Sequence, residues 1–160
     1  MTIEMIPIQS LWKFLTWLPS ALLKRKFKPE ILANLIHTDL RPRFDPATLD
    51  LGSSANFELW LQFINLSPFE VELDRAEFRL RCGPVLKATI LKRQKLMSGE
   101  ITFIRLYDAM TEGQAREIKT SLGNLSVSLE GHIDFNCDLH AFSKNIGQLD
   151  GIKPRVINAN

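Results

Sequence analysis

Two runs of alternating apolar and polar residues, joined at residues 65–68, constrain the fold more than any other feature of this sequence. One face of the first run carries Phe57, Leu59, Leu61 and Phe63 at a period of two residues. The second run, over residues 71–82, keeps the same period with one break at residues 75–76. Such alternation is typical of antiparallel strands with one buried and one wet face. The sequence therefore predicts a mainly β fold, an antiparallel β-sandwich.

Composition predicts a single globular domain and places the positive charge near the N-terminus. A chain of 160 residues is long enough to bury a core without cross-links. The net charge of +2 is too small to indicate nucleic-acid binding, and we expect no nucleic-acid partner. Residues 1–30 hold five basic and two acidic residues, whereas the rest of the chain holds 15 basic and 16 acidic residues.

Residues 1–29 are predicted to form an amphipathic, basic helical segment. Leucines recur near helical spacing, two tryptophans widen the apolar side, and a basic cluster follows. We identify the apolar face as a candidate membrane or partner contact, consisting of Leu11, Trp12, Leu15, Trp17 and Leu18. The residues expected to meet lipid headgroups are Lys24, Arg25, Lys26 and Lys28.

Several interpretations of this segment stay open. A membrane span needs about 20 mostly apolar residues, and here Lys13 and Pro19 interrupt the run. A cleavable signal peptide would carry its positive charge before the apolar run, not after it. A helix lying in the membrane interface fits the tryptophans and the basic cluster better. The remaining alternative is a helix that packs on its own sandwich or on a partner subunit.

The body of the chain is predicted to be one β domain over residues 30–145, followed by a loose tail over residues 146–160. Residues 31–40 form the first candidate strand, and residues 112–122 form a short helix capped by Asp108 or Thr111. Gly131, within the last predicted strand, indicates a bulge or a bend.

Three segments resemble the late embryogenesis abundant group 2 family, also called the water-stress-and-hypersensitive-response (WHy) domain family. They read FELWLQFINLSPFEVELDRAEFRL, ITFIRLYD and LSVSLEGHIDF, and the resemblance covers residues 30–145. The Asn-Pro-Asn turn usual in the family is replaced by Asn65 and Pro68, with two residues between them. The resemblance implies an immunoglobulin or fibronectin-III-like sandwich with one short helix between late strands. It also implies an association with desiccation protection or with membrane-tethered proteins.

The sequence contains no motif that indicates a catalytic site, a metal site or a cofactor. His132 and His140 lie eight residues apart on one predicted strand, so they do not converge on a metal. Cys82 and Cys137 are interpreted either as two buried free thiols or as a disulfide between the two sheets. We therefore expect a non-enzymatic protein with no cofactor.

The leading functional hypothesis is a non-catalytic sandwich held at a membrane surface by its N-terminal helix, with an interaction or lipid-contact role. The alternative is a soluble stress-protection or assembly module, whose helix packs on itself or on a partner subunit. The expected location is peripheral membrane or cytoplasmic.

Overall fold

The computed structural model describes Leu15 and residues 17–159, and this part of the chain is mainly β. It contains ten strands in two five-stranded sheets, together with a few short helices. In chain order the elements are α1 (Ser20–Lys26), α2 (Pro29–Leu35), β1 (Ile36–Leu40), β2 (Ala47–Asp50), β3 (Asn56–Asn65), β4 (Val71–Arg81), β5 (Val85–Ile90), β6 (Gln94–Leu96), β7 (Ile101–Ala109), α3 (Glu112–Ser121), a 3-10 turn (Leu122–Asn124), β8 (Val127–Asn136), β9 (Ala141–Ile152) and β10 (Arg155–Ile157).

Strand β3 organises the first sheet. Antiparallel β7 follows one edge of β3 over nearly its whole length. The other edge is shared by two shorter strands, because β1 pairs with residues 61–65 and β2 pairs with residues 56–59. Strand β10 then joins β2 in a parallel arrangement.

Strands β4 and β8 form the centre of the second sheet, which is antiparallel throughout. Strands β5 and β6 share one edge of β4, and β9 lies along the outer edge of β8. The pairing of β4 with β8 shifts register between Leu73 and Arg75. This β-bulge is the break that interrupts the alternation in the sequence, since a bulge inserts one extra residue into a strand.

The alternating residues of the two central runs form the core, as the sequence predicts. All five inward side chains of β3, four apolar ones and Asn65 at its end, are buried, and burial along this strand alternates without interruption. Val71 and Leu73 before the bulge, and Phe78 and Leu80 after it, are buried as well. Because side chains from both sheets belong to one cluster, the two sheets enclose a common hydrophobic core.

The short helix between the late strands is confirmed. Helix α3 begins after Thr111, whose hydroxyl accepts a hydrogen bond from the Gln114 N–H while the Gln114 side chain accepts one from the Thr111 N–H. This reciprocal capping box satisfies two amides that would otherwise lack partners. Ala115 and Ile118 bury one side of the helix against the core.

The start of the body differs from the prediction. Residues 31–35, predicted to be extended, belong to helix α2, and the first strand begins only at Ile36. Pro29 stands at the first position of α2, where its fixed φ favours a helix and its missing N–H costs nothing. The part of the predicted N-terminal helix before Leu15, and residue 16, lie outside the described residues.

Residues 146–159 also differ from the loose tail that was predicted. Strand β9 continues to Ile152, with Ile146 and Ile152 buried, and residues 155–157 form β10. Gly151 has φ +72°, which glycine adopts without steric cost. Since β10 pairs with a strand about 100 residues earlier in the chain, local sequence alone does not reveal its partner. The boundaries of the β domain stay a prediction.

Both cysteines are free thiols, and their positions exclude the disulfide alternative. Cys82 follows β4 next to the Arg81–Ser128 pair, whereas Cys137 follows β8 next to the Glu72–Asn136 pair. These pairs stand at opposite ends of the same two strands, about 30 Å apart at the usual rise per residue. A disulfide requires Cα atoms within about 7 Å.

Candidate functional site

The chain before β1 is docked onto the two sheets by three buried side chains, two in the N-terminal segment and one in α2. Leu15, Phe27 and Leu32 all belong to the core cluster. The ring of Phe27 meets the edge of Phe69, with centroids 5.1 Å apart and an interplanar angle of 88°. Beside this contact, Nε2 of His140 donates to the carbonyl oxygen of Lys24 at 3.2 Å.

Helix α2 covers part of the body next to β9, where a lysine reaches the helix end. The register of β8 and β9 places Lys144 opposite the buried Ile133, on the inner side of β9. Its ammonium donates to the carbonyl oxygen of Ile36, the residue that follows α2. Desolvation at this half-buried position lowers the pKa of Lys144. The contact joins the end of α2 to β9.

The residues of the predicted apolar face differ in burial, because part of the segment packs on the body. Leu15 is only 4% exposed and Leu18 packs against the core, so neither is a free contact residue. Trp17 lies between them and is 90% exposed. Leu11 and Trp12 lie outside the described residues. The prediction that these side chains share one exposed face is therefore wrong for Leu15.

The basic residues lie on a helix with no buried side chain. Helix α1 carries Lys24, Arg25 and Lys26 in its last turn, and Lys28 follows it. All four residues are exposed, and Leu22 on the same helix is 51% exposed. Trp17, Leu22 and the basic cluster are thus all exposed and lie within twelve residues of the chain, between Leu15 and Phe27 in the core or next to them.

The second basic run is residues 92–95. Two of its residues, Arg93 and Lys95, form ion pairs with carboxylates of β4 and of the turn before it. Arg93 contacts Glu72 at 3.5 Å and Asp74 at 3.0 Å. Lys95 contacts Glu70 at 2.7 Å, and the hydrogen bond that its ammonium donates to the Glu70 carboxylate raises the pKa of Lys95. Because Arg93 and Lys95 are compensated within the fold, this run is a weak candidate for an anion-binding surface.

A shallow pocket of about 340 Å³ lies on the outer face of the second sheet, next to His132. His132 Nδ1 donates to Asn145 Oδ1 at 2.6 Å, and its Nε2 lies 3.2 Å from Asp134 Oδ1. The hydrogen bond with Asn145 raises the pKa of His132; burial opposes it, and the charge of Asp134 and its hydrogen bond add to the rise. Glu130 at the pocket wall is paired with Arg79 and Arg81. The polar side chains of the pocket are therefore paired with one another, as is ordinary on the solvent-exposed face of a sheet.

No group of three or more His, Cys, Asp or Glu side chains in the described part of the chain is arranged to hold a metal ion. In the same part, no helix has both the length and the apolar character needed to cross a membrane.

One feature that the sequence reasoning missed is a set of arginines stacked on aromatic rings on the first sheet. The guanidinium of Arg41 lies over the rings of Phe44 and Trp60, at 5.5 and 4.8 Å from their centroids. The guanidinium of Arg105 lies over Tyr107 at 4.9 Å. A signal was present in the alternation itself, because the outward positions of β3 include a tryptophan where a wet face normally carries polar residues.

No family model matches this chain, and no curated protein matches it. Among solved structures, it is similar to target SoR45 of the Northeast Structural Genomics Consortium, with 10% identity and a TM-score of 0.52 over 74% of this chain and 87% of that one. It is also similar to a protein from Archaeoglobus fulgidus, with 6% identity and a TM-score of 0.45 over 74% and 94% of the two chains. A structure described as a candidate late embryogenesis abundant (LEA) protein shows 13% identity and a TM-score of 0.42 over 90% and 89%. The match to SoR45 indicates a shared fold and nothing about activity.

Proposed function

We propose that this chain is a non-catalytic binding module of the late embryogenesis abundant group 2 type, with a fibronectin-III-like arrangement of its two sheets. We propose further that its N-terminal segment contacts an anionic lipid surface. The family assignment is supported by the three sequence segments that resemble the WHy domain. The lipid contact is supported by the exposed part of the N-terminal segment.

The observation that carries the lipid contact is the 90% exposure of Trp17 next to the buried Leu15. An indole left in water forgoes the burial of a large apolar surface. Tryptophan is favoured at the level of lipid headgroups, because its ring is apolar and its N–H is polar. Because Leu15 is fixed in the core, the backbone that carries Trp17 is already held in place. Binding to a lipid surface would therefore cost little further conformational entropy.

The charges of α1 support the same surface. Lys24, Arg25, Lys26 and Lys28 follow Trp17 closely in sequence and lie on the exposed side of the segment. A basic residue near an anionic membrane surface contributes about 1 kcal/mol, which is about fivefold in affinity. Three cations in the last turn of α1 also interact favourably with the helix dipole, so their charge has a local structural role as well.

The proposal is tested by flotation of the intact chain with vesicles that contain phosphatidylserine. Point variants are preferable to removal of the segment, because deleting it would also take Leu15 and Phe27 from the core. We expect Trp17→Ser to weaken binding, and the double variant Lys24→Gln/Arg25→Gln to weaken it by about 25-fold. Binding to neutral phosphatidylcholine vesicles should be weak for every form.

Two matched variants control for general surface effects. Leu91→Ser removes another exposed apolar side chain, and Lys87→Gln removes a lysine from the second sheet. Both should bind like the unmodified chain. If Trp17→Ser and the double lysine–arginine variant also bind like the unmodified chain, or if no form floats with anionic vesicles, the lipid contact is refuted.

A second candidate function, a soluble stress-protection module, is favoured by the docking of the segment. Phe27 and Leu32 are buried against the body, as expected if the helices serve the stability of the fold. This candidate predicts that the chain preserves the activity of a desiccation-sensitive enzyme during drying, and that Trp17→Ser protects equally well. An equal mass of an unrelated β protein is the control. Protection no better than this control would reject the candidate.

A further inference from the structure

The outer face of the first sheet is apolar and aromatic along its centre. The register pairs Trp60 with Arg105, Glu58 with Tyr107, and Gln62 with Phe103, all on the side opposite the buried residues of β3. The outward apolar residues at the centre of this face are Trp60, Ile64, Ile101, Phe103 and Tyr107. None of these five belongs to the hydrophobic core or packs against it. We call this surface, together with Phe44, the aromatic face.

Hydrogen bonds and stacking hold the aromatic face in one arrangement. The carboxylate of Glu58 accepts hydrogen bonds from the indole N–H of Trp60 and from Arg105, the latter at 2.8 Å. Burial acts to raise the pKa of Glu58, but these hydrogen bonds and the guanidinium charges of Arg105 and Arg41 outweigh it, and the pKa is lowered. A preorganised aromatic and arginine surface of this kind has the composition of an interface centre.

Phe44, on the aromatic face, has an unfavourable backbone conformation. The residue has φ +65°, a left-handed conformation that is unfavourable for a bulky side chain. Its ring is nevertheless 84% exposed, so burial in the core does not offset the strain. The neighbouring Arg41 donates to the Asp45 carbonyl oxygen at 3.2 Å and stacks on the ring, which fixes it beside Trp60.

The outer face of the second sheet is charged, whereas on the aromatic face Tyr107 and Phe44 are exposed and the other apolar side chains are partly exposed. Its outward positions carry Arg79 and Arg81, which pair with Glu130, and Arg75, which pairs with Glu77. An apolar centre therefore distinguishes one of the two outer faces. Contiguous exposed apolar surface on one face of a protein commonly marks an interaction site.

We propose that the aromatic face is the interface between two copies of this chain, related by a two-fold axis near Trp60. Its charges are balanced, because the face and its bordering loop carry four arginines (Arg41, Arg43, Arg105, Arg155) and four carboxylates (Asp39, Asp45, Asp50, Glu58). A neutral face does not repel its own copy, and it has no net attraction for an anionic surface. Asp39 forms no ion pair among the described residues, and neither does Arg43, so each offers a charge to the opposite copy.

The dimensions of the face are sufficient for a weak dimer. Strand β3 is about 30 Å long, and β7, β3 and the edge shared by β1 and β2 span about 14 Å, with the short β10 beyond them, so each copy offers roughly 500 Å². Two copies would bury about 1,000 Å², in the range of weak interfaces. The contact would stack two sheets at the ordinary distance of about 10 Å.

Sedimentation velocity of the full chain over a wide concentration series tests the proposal. We expect a reversible monomer–dimer equilibrium, with a dissociation constant raised about tenfold or more by Tyr107→Glu. Phe44→Gly should weaken the dimer as well. Because glycine tolerates positive φ, this variant should not destabilise the monomer, so its effect would not be due to unfolding. Leu91→Glu, which places the same charge on another exposed apolar residue, and Trp17→Ser should dimerise normally.

Spin labels would identify the face that is used. In a Cys137→Ala background, labels at Gln62→Cys lie on the aromatic face, whereas labels at Thr89→Cys lie on the outer face of the second sheet, about one sheet-to-sheet distance further from the axis. In a dimer through the aromatic face, the Gln62 labels are the closer pair by about 20 Å or more.

A chain that stays monomeric, a dimer insensitive to Tyr107→Glu and Phe44→Gly, or a dimer abolished by Trp17→Ser alone would overturn the proposal. None of these results decides lipid binding, which is measured separately on vesicles.

Discussion

The side chain of Asn65 is bonded to Ser67 by two hydrogen bonds within the turn that follows β3. Asn65 Oδ1 accepts from the Ser67 N–H at 2.9 Å and from the Ser67 hydroxyl at 2.6 Å, and both residues are fully buried. The amide of Asn65 also donates to the carbonyl oxygens of Phe69 and Leu96, each at 2.8 Å. One side chain thus joins the end of β3, the turn before β4 and strand β6.

We predict that Asn65→Ala lowers the free energy of unfolding by about 2–4 kcal/mol, because it takes the Asn65 partner from the buried Leu96 carbonyl oxygen and from the buried Ser67 N–H. Urea denaturation measures the loss. Asn56→Ala is the matched control, since its side chain donates a single bond, at an exposed position, to the Ser54 carbonyl oxygen. It should cost less than about 1 kcal/mol. Similar losses for the two variants would contradict this account of the turn.

Gly131 is required by the ring of Phe78 on the neighbouring strand. A Cβ at position 131 would lie 2.5 Å from Phe78 Cδ1 and 2.8 Å from Cε1. Gly131→Ala should therefore destabilise the fold by about 1–3 kcal/mol through overpacking. Gly123→Ala, where no atom lies within 4 Å of the added Cβ, should change stability by less than about 0.5 kcal/mol. In a double-mutant cycle, Phe78→Leu should reduce the penalty at position 131, and strict additivity would refute the clash.

The thiol of Cys82 should be unreactive in the folded protein. Burial, with a smaller effect of the Glu117 carboxylate, raises its pKa to about 11. In a Cys137→Ala background, an aromatic disulfide reagent at pH 8 should modify Cys82 only after denaturation. Fast modification under native conditions would show that the β4 end is open.

The same thiol makes stability depend on alkaline pH. Between about pH 9 and 11 the unfolded chain releases the Cys82 proton while the folded chain keeps it, so unfolding is favoured as pH rises. The unmodified chain should therefore lose stability across this range relative to Cys82→Ala, as measured by denaturant titration at each pH. Parallel curves for the two proteins would contradict the raised pKa.

His132 should titrate above its ordinary value of 6.5, chiefly because its ring donates to Asn145. A raised pKa in the folded state stabilises the fold at pH values below 6.5, and this contribution is lost as the pH rises through the folded-state pKa. NMR titration of the ring protons gives the pKa directly. Asn145→Ala should lower it and Asp134→Asn should lower it less, so the reverse order would show that the charge of Asp134 dominates.

The strands and the core could be predicted from the sequence to a large extent. Burial in β3 follows its alternation residue by residue, and the break in β4 is a bulge where the pattern is interrupted. Helix α3 was also recognisable, because a capping box is formed by residues three positions apart. In each case the physical cause acts within a few residues of the chain.

The N-terminal segment shows where local patterns were insufficient. Leu15 and Trp17 were assigned to one apolar face, yet one is buried and the other is almost fully exposed. Residues 31–35 fit a strand by composition but form α2, whose apolar side is covered by the body. Which of these side chains is buried depends on contacts with residues that lie far away in the sequence.

By itself, the sequence determined that the chain forms strands with defined inner and outer sides, since the period of two residues fixes the direction of every side chain along a strand. Only the tertiary structure decided which strands are neighbours: β10 pairs with β2 across about 100 residues, and β1 and β2 share one edge of β3. It also decided that the outward side chains of β3 and β7 form one aromatic face, because a surface made of two strands exists only after they pair.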